Sequence, residues 1–506
     1  MIVKKHLPKI TILVVVILGL VLRIIPTFGN NFYFTMDIAN EATKAREIIF
    51  FRLHPLVGQE TSIPGFYHGP LWLYYISIGY LLFNFHPFGS LFMLFLLNAA
   101  STAVLMWRVI KKVSLKAGIL IGVALQFFWP YYDTTRFAFS PFPLVVIAVV
   151  DLVLLSAALE GSVAALIGAA VVSSLPLHLE VASLPPFLGL FLTVALWLFI
   201  KKKFTGKQFL YAILALIATH AARIVSEVLT GFSQLHAIQE HAASERSFIS
   251  ATQFVKFFGQ MVGIVKEGLV PQSGVLSILL ILASVLVLYK RKKMNPFILR
   301  YAVLTLILCG FSFVWFASNI GWHPWHTVYI APVIFISALL IGSSFKLNRA
   351  IPVCAFLIAV QLPVFYKNYA LNFRPTNDAS ILSNELSAVD WTYKESGGQG
   401  FYVYSYLPSV YDYPYQYLFW WRGNGKYGYV PCEYSTYPGI PDFFVNNYQK
   451  YQQPQRQCER VRYLIMEPDQ NTGTRALWLS EVSKNNTLEK EANFGNIRVE
   501  KRRITP

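Results

Sequence analysis

Residues 9–55 read KITILVVVILGLVLRIIPTFGNNFYFTMDIANEATKAREIIFFRLHP, and the fold class turns on them. The apolar run over about 10–28 is long enough to cross a bilayer. Lys4, Lys5 and Lys9 precede it. It has no small-x-small cleavage site before Asn30, and further apolar runs follow, so it reads as a retained anchor and not a signal peptide. An amphipathic segment comes next. Asp37, Glu41 and Lys44 fall at i, i+4 and i+7, which places them on one face of a helix. An acid at this point can be a helix N-cap and nothing more. Glu41 also reads as one half of an i, i+3 pair with Lys44. The alternative is that both acids belong to a site just beyond the first span.

The rest of the chain repeats the apolar theme. Of its 506 residues 55% are hydrophobic, 16% aromatic and only 14% charged, against roughly a quarter charged in a soluble globular domain. That excludes a disordered chain and argues against a purely soluble enzyme. The formal net charge of +17 would suggest a nucleic-acid partner if it sat on one folded face. It does not. Residues 370–506 hold 15 basic and 14 acidic side chains, and residues 1–369 hold 28 and 12. Most of that excess lies in short clusters between apolar runs: Arg108 to Lys116, Lys201 to Lys207, Lys290 to Arg300, and Lys346 with Arg349. This is the positive-inside pattern of a polytopic membrane protein.

About eleven spans can be placed, near 10–28, 88–107, 117–132, 142–160, 162–178, 182–200, 208–228, 273–289, 296–317, 327–345 and 350–367. Keeping every basic cluster on the cytoplasmic side puts the N-terminus inside and the C-terminal residues outside. The run GPLWLYYISIGYLLFNF over 69–85 breaks this parity if it crosses. It therefore reads as a juxtamembrane or re-entrant helix on the outer face, where Trp72, Tyr74, Tyr75 and Tyr80 suit an interface. The expected organisation is a transmembrane domain over 1–369, with outer loops over 29–87 and 229–271, and an outer α/β domain over 370–506.

Polar residues collect on the outward segments. WPYYDTTRFAFSP carries Asp133 and Arg136, LPLHLE carries His178 and Glu180, and SNIGWHPWHTVYIAP carries His323 and His326. Ionisable groups are costly within a bilayer, so those present line a cavity or pair with one another. His178 and Glu180 are spaced to point to different sides, and interhelical hydrogen bonding explains them as well as a site does. Arg223 and Glu227, at i and i+4, read as a pair. Asp151, in mid-span, is expected to bond a neighbouring helix. His236, Glu240 and His241 lie in the 229–271 loop without an evident third metal ligand. That loop reads as a lid or entry helix.

In the outer domain, residues 396–431 read as strands and turns, VRYLIMEPD as a buried strand, NFGNIRVEKRRI as a strand pair around Phe494-Gly495-Asn496, and 380–393 as a helix. Cys432 and Cys458 both fall there, and an oxidising exterior predicts a disulfide between them.

The order of these features resembles the C-fold (GT-C) glycosyltransferases, in particular the protein mannosyltransferases and aminoarabinose transferases that use a polyprenyl-phosphate sugar. The resemblance runs over residues 1–370. It rests on FTMDIANEATKA after the first span, YHGPLWLYY, TTRFAFSP and HPWHTVYIAP. It implies that Asp37 is the catalytic base, with the second acidic position displaced to Glu41. It further implies that His68 opens the family's proline turn and that Arg136, His323 and His326 contact the lipid-linked phosphate. The expected partners are a polyprenyl-phosphate sugar donor, a lipid, glycan or protein acceptor and membrane lipids, with no nucleic acid. No cofactor is implied, no metal motif carries over, and divalent-metal use stays open. A transporter or lipid flippase would show internal repeats and mid-membrane polar groups. An O-antigen ligase or polymerase-like enzyme would carry its long loop late in the chain. Both stand as alternatives to transfer of a sugar to an extracytoplasmic acceptor.

Overall fold

A computed structural model describes residues 2–244, 251–290, 294–317, 322–374, 376–408, 411–439 and 456–505. Arg291 to Lys293, the centre of the 229–271 loop at 245–250, and the start of SNIGWHPWH at 318–321 lie outside the described residues. The chain forms two compact units. One holds Met1–Ile24, His54–Trp72 and Phe92–Leu371; the other holds Ile25–Leu53, Leu73–Leu91 and Asn372–Pro506.

The first unit is helical. Among the described residues six helices are long and apolar enough to cross a membrane: His6–Asn30, Phe88–Lys112, Val181–Ile200, Pro296–Ala317, Pro324–Ser343 and Asn348–Leu371. A seventh candidate is the pair Gly206–Thr219 and Ala221–Leu229, bent by 61°. The chain is an integral membrane protein. The eleven expected spans are not all present as unbroken helices, and proline explains most of the difference. A proline has no N–H to donate and its ring clashes with the preceding turn. The window 117–132 breaks after Leu115–Gln126 and restarts at Trp129, where Pro130 occupies the first turn. The window 142–160 begins helix only at Leu144, after Pro143. The window 162–178 ends its α-helix at Ser174, before Pro176. The apolar run at 69–85 yields a helix Leu71–Leu82 of 12 residues, about 18 Å long against a hydrocarbon core of about 30 Å. Asn84 and Phe85, both at positive φ, end it.

Polar side chains tie these helices together. Asp151 accepts from Ser173 at 2.8 Å, the neighbouring-helix bond expected of it. Thr305 meets Ser337 and Ser312 meets Tyr329, each at 2.8 Å. Glu160, in the turn after Ala158, receives Arg108, Lys112 and Arg300, so three of the basic-cluster residues converge on one carboxylate. In the first span the fully buried Arg23 donates to Thr135 Oγ1 (2.8 Å), Gln126 Oε1 (2.8 Å) and Gly19 O (3.0 Å). Gly19 is needed there, because a Cβ would lie 2.5 Å from Gln126 Oε1.

The second unit is built on a five-stranded sheet. Its strands are β1 (Gly400–Tyr406), β2 (Glu433–Ser435), β3 (Cys458–Met466), β4 (Asn486–Phe494) and β5 (Ile497–Ile504), in the order β2-β1-β3-β5-β4. β1 runs parallel to β2 and β3, while β5 is antiparallel to β3 and β4. Alternation sorts the faces. Tyr404, Tyr406, Leu464 and Met466 pack on Trp478 and Val482 of the helix Thr472–Val482. Phe401 and Tyr463 face the other way, edge-to-face with each other at 5.2 Å, and Tyr393 of the helix Leu382–Glu395 closes on Phe401. The β4–β5 turn is the expected one. Gly495 takes φ +58°, and a Cβ there would lie 2.8 Å from Asn384. The segment 413–422 departs from expectation. It is a helix, Tyr413–Arg422, where its aromatic content suggests strand.

That helix explains why 25–53 belongs to this unit. The helix Met36–Phe50 lies against it: Arg46 stacks on Trp420 (4.8 Å) and Phe34 on Tyr417 (5.6 Å). Just upstream, Phe34 N donates to Ser380 O and Leu382 N donates to Phe32 O, both at 2.9 Å. Tyr417 in turn donates to Phe85 O at 2.7 Å.

Cys432 and Cys458 are bonded, closing a separation of 26 residues. Replacing both with serine is expected to destabilise the second unit by about 2–4 kcal/mol, read as a lower thermal midpoint; an unchanged midpoint would show that the sheet needs no such tether.

Candidate functional site

Asp37 sits in the first turn of the helix Met36–Phe50, whose N-cap is Thr35. Asp37 is therefore not the cap. It is half-buried, and burial raises its carboxyl above the ordinary aspartate value. Glu41, one turn on, is only 1% exposed, and its charge reaches the Tyr80 phenol. Lys44 is half-buried. The predicted face exists, but its two acids differ: Asp37 keeps an outlet to the surface and Glu41 is enclosed.

In the first unit His68 rides on a short hairpin. Gly58 N donates to His68 O (2.7 Å), His68 N to Gln59 O (2.8 Å), and Glu60 bridges Tyr67. The next residue must be glycine. A Cβ on Gly69 would fall 1.9 Å from His178 Nδ1, while Gly69 N donates to Leu177 O at 2.8 Å. Leu71 N donates to His178 Nδ1 at 3.4 Å. His178 stacks on His220, with centroids 5.0 Å apart and planes at 10°. Arg223, one turn beyond His220, lies over the Phe66 ring at 4.5 Å and donates Nη2 to Gln234 Oε1 at 3.1 Å. Gln234 Oε1 also accepts from Tyr67 N, so one buried amide oxygen ties the arginine to the hairpin.

The result is a group of one guanidinium and three imidazoles: Arg223, His178 and His220, all buried, and His68, half-buried. Burial, assisted by the Arg223 charge, holds His68 down at about 4, so at neutral pH it is uncharged. Arg223 lies within electrostatic reach of His178 and His220 as well. Nη1 of Arg223, Nδ1 of His68 and Nδ1 of His220 are buried with no hydrogen-bond partner among the described residues. Buried polar atoms are nearly always bonded. A set of spare nitrogens beside a cation matches the oxygens of an anion.

The remaining candidates in this unit form two further pairs. Arg136 binds Asp133 through Nε (2.9 Å) and Nη2 (2.7 Å) and lies over Trp129 at 5.5 Å. His326 accepts from His323 N on Nδ1 (3.2 Å) and turns Nε2 toward Glu180 Oε2 at 3.8 Å. His323 stacks flat on Trp325, 4.3 Å away. His178 and Glu180 point to different partners, as their spacing indicates. The sequence reading omits His220 and Gln234 and takes Arg223 only as the partner of Glu227. Arg223 and Glu227 lie within electrostatic reach, as their i, i+4 spacing suggests, while Glu227 Oε2 takes its hydrogen bond from Leu235 N. The usable signal was a histidine and an arginine three residues apart inside an apolar window. Among the described residues no three His, Cys, Asp or Glu side chains are grouped as metal ligands.

No protein-family model matches the chain, and no curated protein matches it. Solved structures do. The chain is similar to ArnT from Cupriavidus metallidurans bound to undecaprenyl phosphate, with 13% identity, a TM-score of 0.60 and 97% of each chain covered. It is similar to the apo state of the same protein at 13% identity and a TM-score of 0.57, again over 97% of each chain. The fold is therefore that of ArnT over nearly the whole chain.

Gly69→Ala is expected to displace the His178 ring and lower stability by about 1–3 kcal/mol, measured by thermal unfolding in detergent. Wild-type stability in that variant would contradict the close approach.

Proposed function

We propose that this chain, on its GT-C fold, transfers a sugar from a polyprenyl-phosphate-linked donor to an acceptor outside the cytosol, with Asp37 as the general base. The observation that carries the reading is the buried cationic group around Arg223, with three spare nitrogens, in a chain folded like ArnT. A donor whose tail stays in the bilayer has one strongly polar part, its phosphate. Arg223 and the histidines His68, His178 and His220 supply the donors that such a group needs. This assignment moves phosphate recognition away from Arg136 and His326, whose polar atoms already engage Asp133 and Glu180.

The chemistry follows from the residues. Asp37 takes the proton of the acceptor hydroxyl as its oxygen attacks the anomeric carbon. The carbon–oxygen bond to phosphate breaks and the electron pair leaves with the phosphate. Arg223 stabilises that developing charge. Burial makes Asp37 a stronger base than a solvated aspartate, because the energy lost on ionising returns when it accepts a proton. Neutral imidazoles suit the other role, since each can present an N–H to phosphate without adding a buried charge. The transferred group is a hexosyl or pentosyl residue, and the acceptor is a lipid, a glycan or a protein. The spacing of the basic clusters supports a cell-membrane location, with the N-terminus cytoplasmic and residues 370–506 outside. The loop over 229–271 serves as the lid, and its Gln234 holds Arg223 in place.

Purified protein incubated with labelled polyprenyl-phosphate sugars and cell-envelope acceptors is expected to transfer label. Asp37→Asn should reduce the rate by about 10²–10⁴-fold while donor binding persists. In the wild type, kcat/KM should rise with pH through a value above that of an ordinary aspartate, because Asp37 must be ionised to act. Undiminished transfer by Asp37→Asn would overturn the assignment.

A further inference from the structure

The short turn Leu177–Glu180 faces two ways. On one side it carries His178, whose ring contacts Gly69, Leu71 and His220. On the other it carries Glu180, 9% exposed, whose Oε1 accepts from Ala182 N at 3.2 Å and whose Oε2 faces His326 Nε2 at 3.8 Å. We propose that Glu180 is a positioning residue: through His326 it fixes the turn that presents His178 to the cluster around Arg223. The inference rests on assigning that cluster to the donor phosphate.

Three contacts strap the turn to the 322–327 segment and its neighbouring helix. Ser183 donates to His326 O at 2.8 Å, Trp315 donates to Ala182 O at 2.7 Å, and the Glu180–His326 contact lies between them. The first two involve backbone oxygens and ignore side-chain charge. The contacts of the Glu180 carboxylate, with His326 and with the Trp325 indole, do not. His326 Nδ1 accepts from His323 N, so the ring proton of the neutral imidazole sits on Nε2, directed at the Glu180 carboxylate. An ionised Glu180 attracts that N–H across 3.8 Å, longer than a hydrogen bond, and a protonated one does not. The groups facing Glu180 are the Ala182 amide from its own turn, and His326 and the Trp325 indole from the opposite segment. His323, stacked on Trp325, is the next titratable group. Burial, opposed by the Ala182 and Trp325 donors, pushes Glu180 up to about 7. The strength of the strap therefore changes within the working range of pH, and the hold on His178 changes with it.

The test is equilibrium binding of undecaprenyl phosphate to the full-length protein in nanodiscs at pH 6 and pH 8. Glu180→Gln keeps an oxygen for Ala182 N and loses the charge. At pH 8 it should bind about tenfold more weakly than wild type, the worth of the charge-dependent contacts that the carboxylate makes with Trp325 and His326 together. At pH 6, where wild-type Glu180 is itself protonated, the two should converge. His326→Ala should reproduce the pH 8 loss, and His326→Gln, which retains an N–H, should restore most of it. A purely structural defect would weaken binding equally at both pH values and would overturn the proposal. So would wild-type affinity in both Glu180→Gln and His326→Ala, provided Arg223→Gln has lost binding. Failure of the wild type itself to bind undecaprenyl phosphate would instead remove the donor assignment on which the proposal stands.

Discussion

A guanidinium taken out of water must find hydrogen-bond acceptors, and the polar interior of the helical unit is organised around two such groups. Arg23 meets the requirement with neutral oxygens from Gly19, Gln126 and Thr135 and with the faces of Tyr131 and Tyr132. Its bonds reach from the first span to the broken corner at 126–135, so the arginine serves as a pin. Each arginine keeps one buried nitrogen without a partner among the described residues, Nη2 of Arg23 and Nη1 of Arg223, but Arg223 has fewer acceptors. It has one amide oxygen, one ring face and a nearby glutamate, and it keeps a buried nitrogen in reserve beside histidines that do the same. Buried cations are costly. A pin justifies the first by the corner it holds. The second is a place for the anion proposed above.

The same constraint shows which parts of the fold are legible in sequence. Six of the apolar windows and the Gly495 turn each express one physical rule and appear where that rule places them. The windows containing Pro130, Pro143 and Pro176 do not become unbroken spans, because hydropathy measures transfer to lipid and is blind to a missing backbone donor. The segment 413–422 defeats propensity for the opposite reason. Its aromatics favour strands in isolation, but as a helix they meet Phe34, Arg46 and Phe85, and tertiary packing decides.

At the site, Asp37, His68 and His178 stand out in sequence as polar residues with no apolar reason to be there. His220 and Arg223 do not. The i, i+4 rule assigns Arg223 to Glu227, and that rule describes solvated helices. At the bend after Thr219 the arginine gives its hydrogen bond to Gln234, eleven positions away, a contact no local pattern encodes. Gly69 shows the complementary case: its motif is visible in sequence, but the reason for it, the His178 ring in the space of a side chain, is visible only in three dimensions.

The account gives Asp37 the proton of the acceptor and the group around Arg223 the phosphate of the donor. Its central claim is that the cationic group recognises phosphate and not merely a lipid tail. Wild-type protein titrated with undecaprenyl phosphate and, separately, with undecaprenol of equal chain length compares the two directly. The account predicts that the phosphorylated lipid binds at least about tenfold more tightly, the worth of one charge-assisted contact. Equal affinities would contradict it.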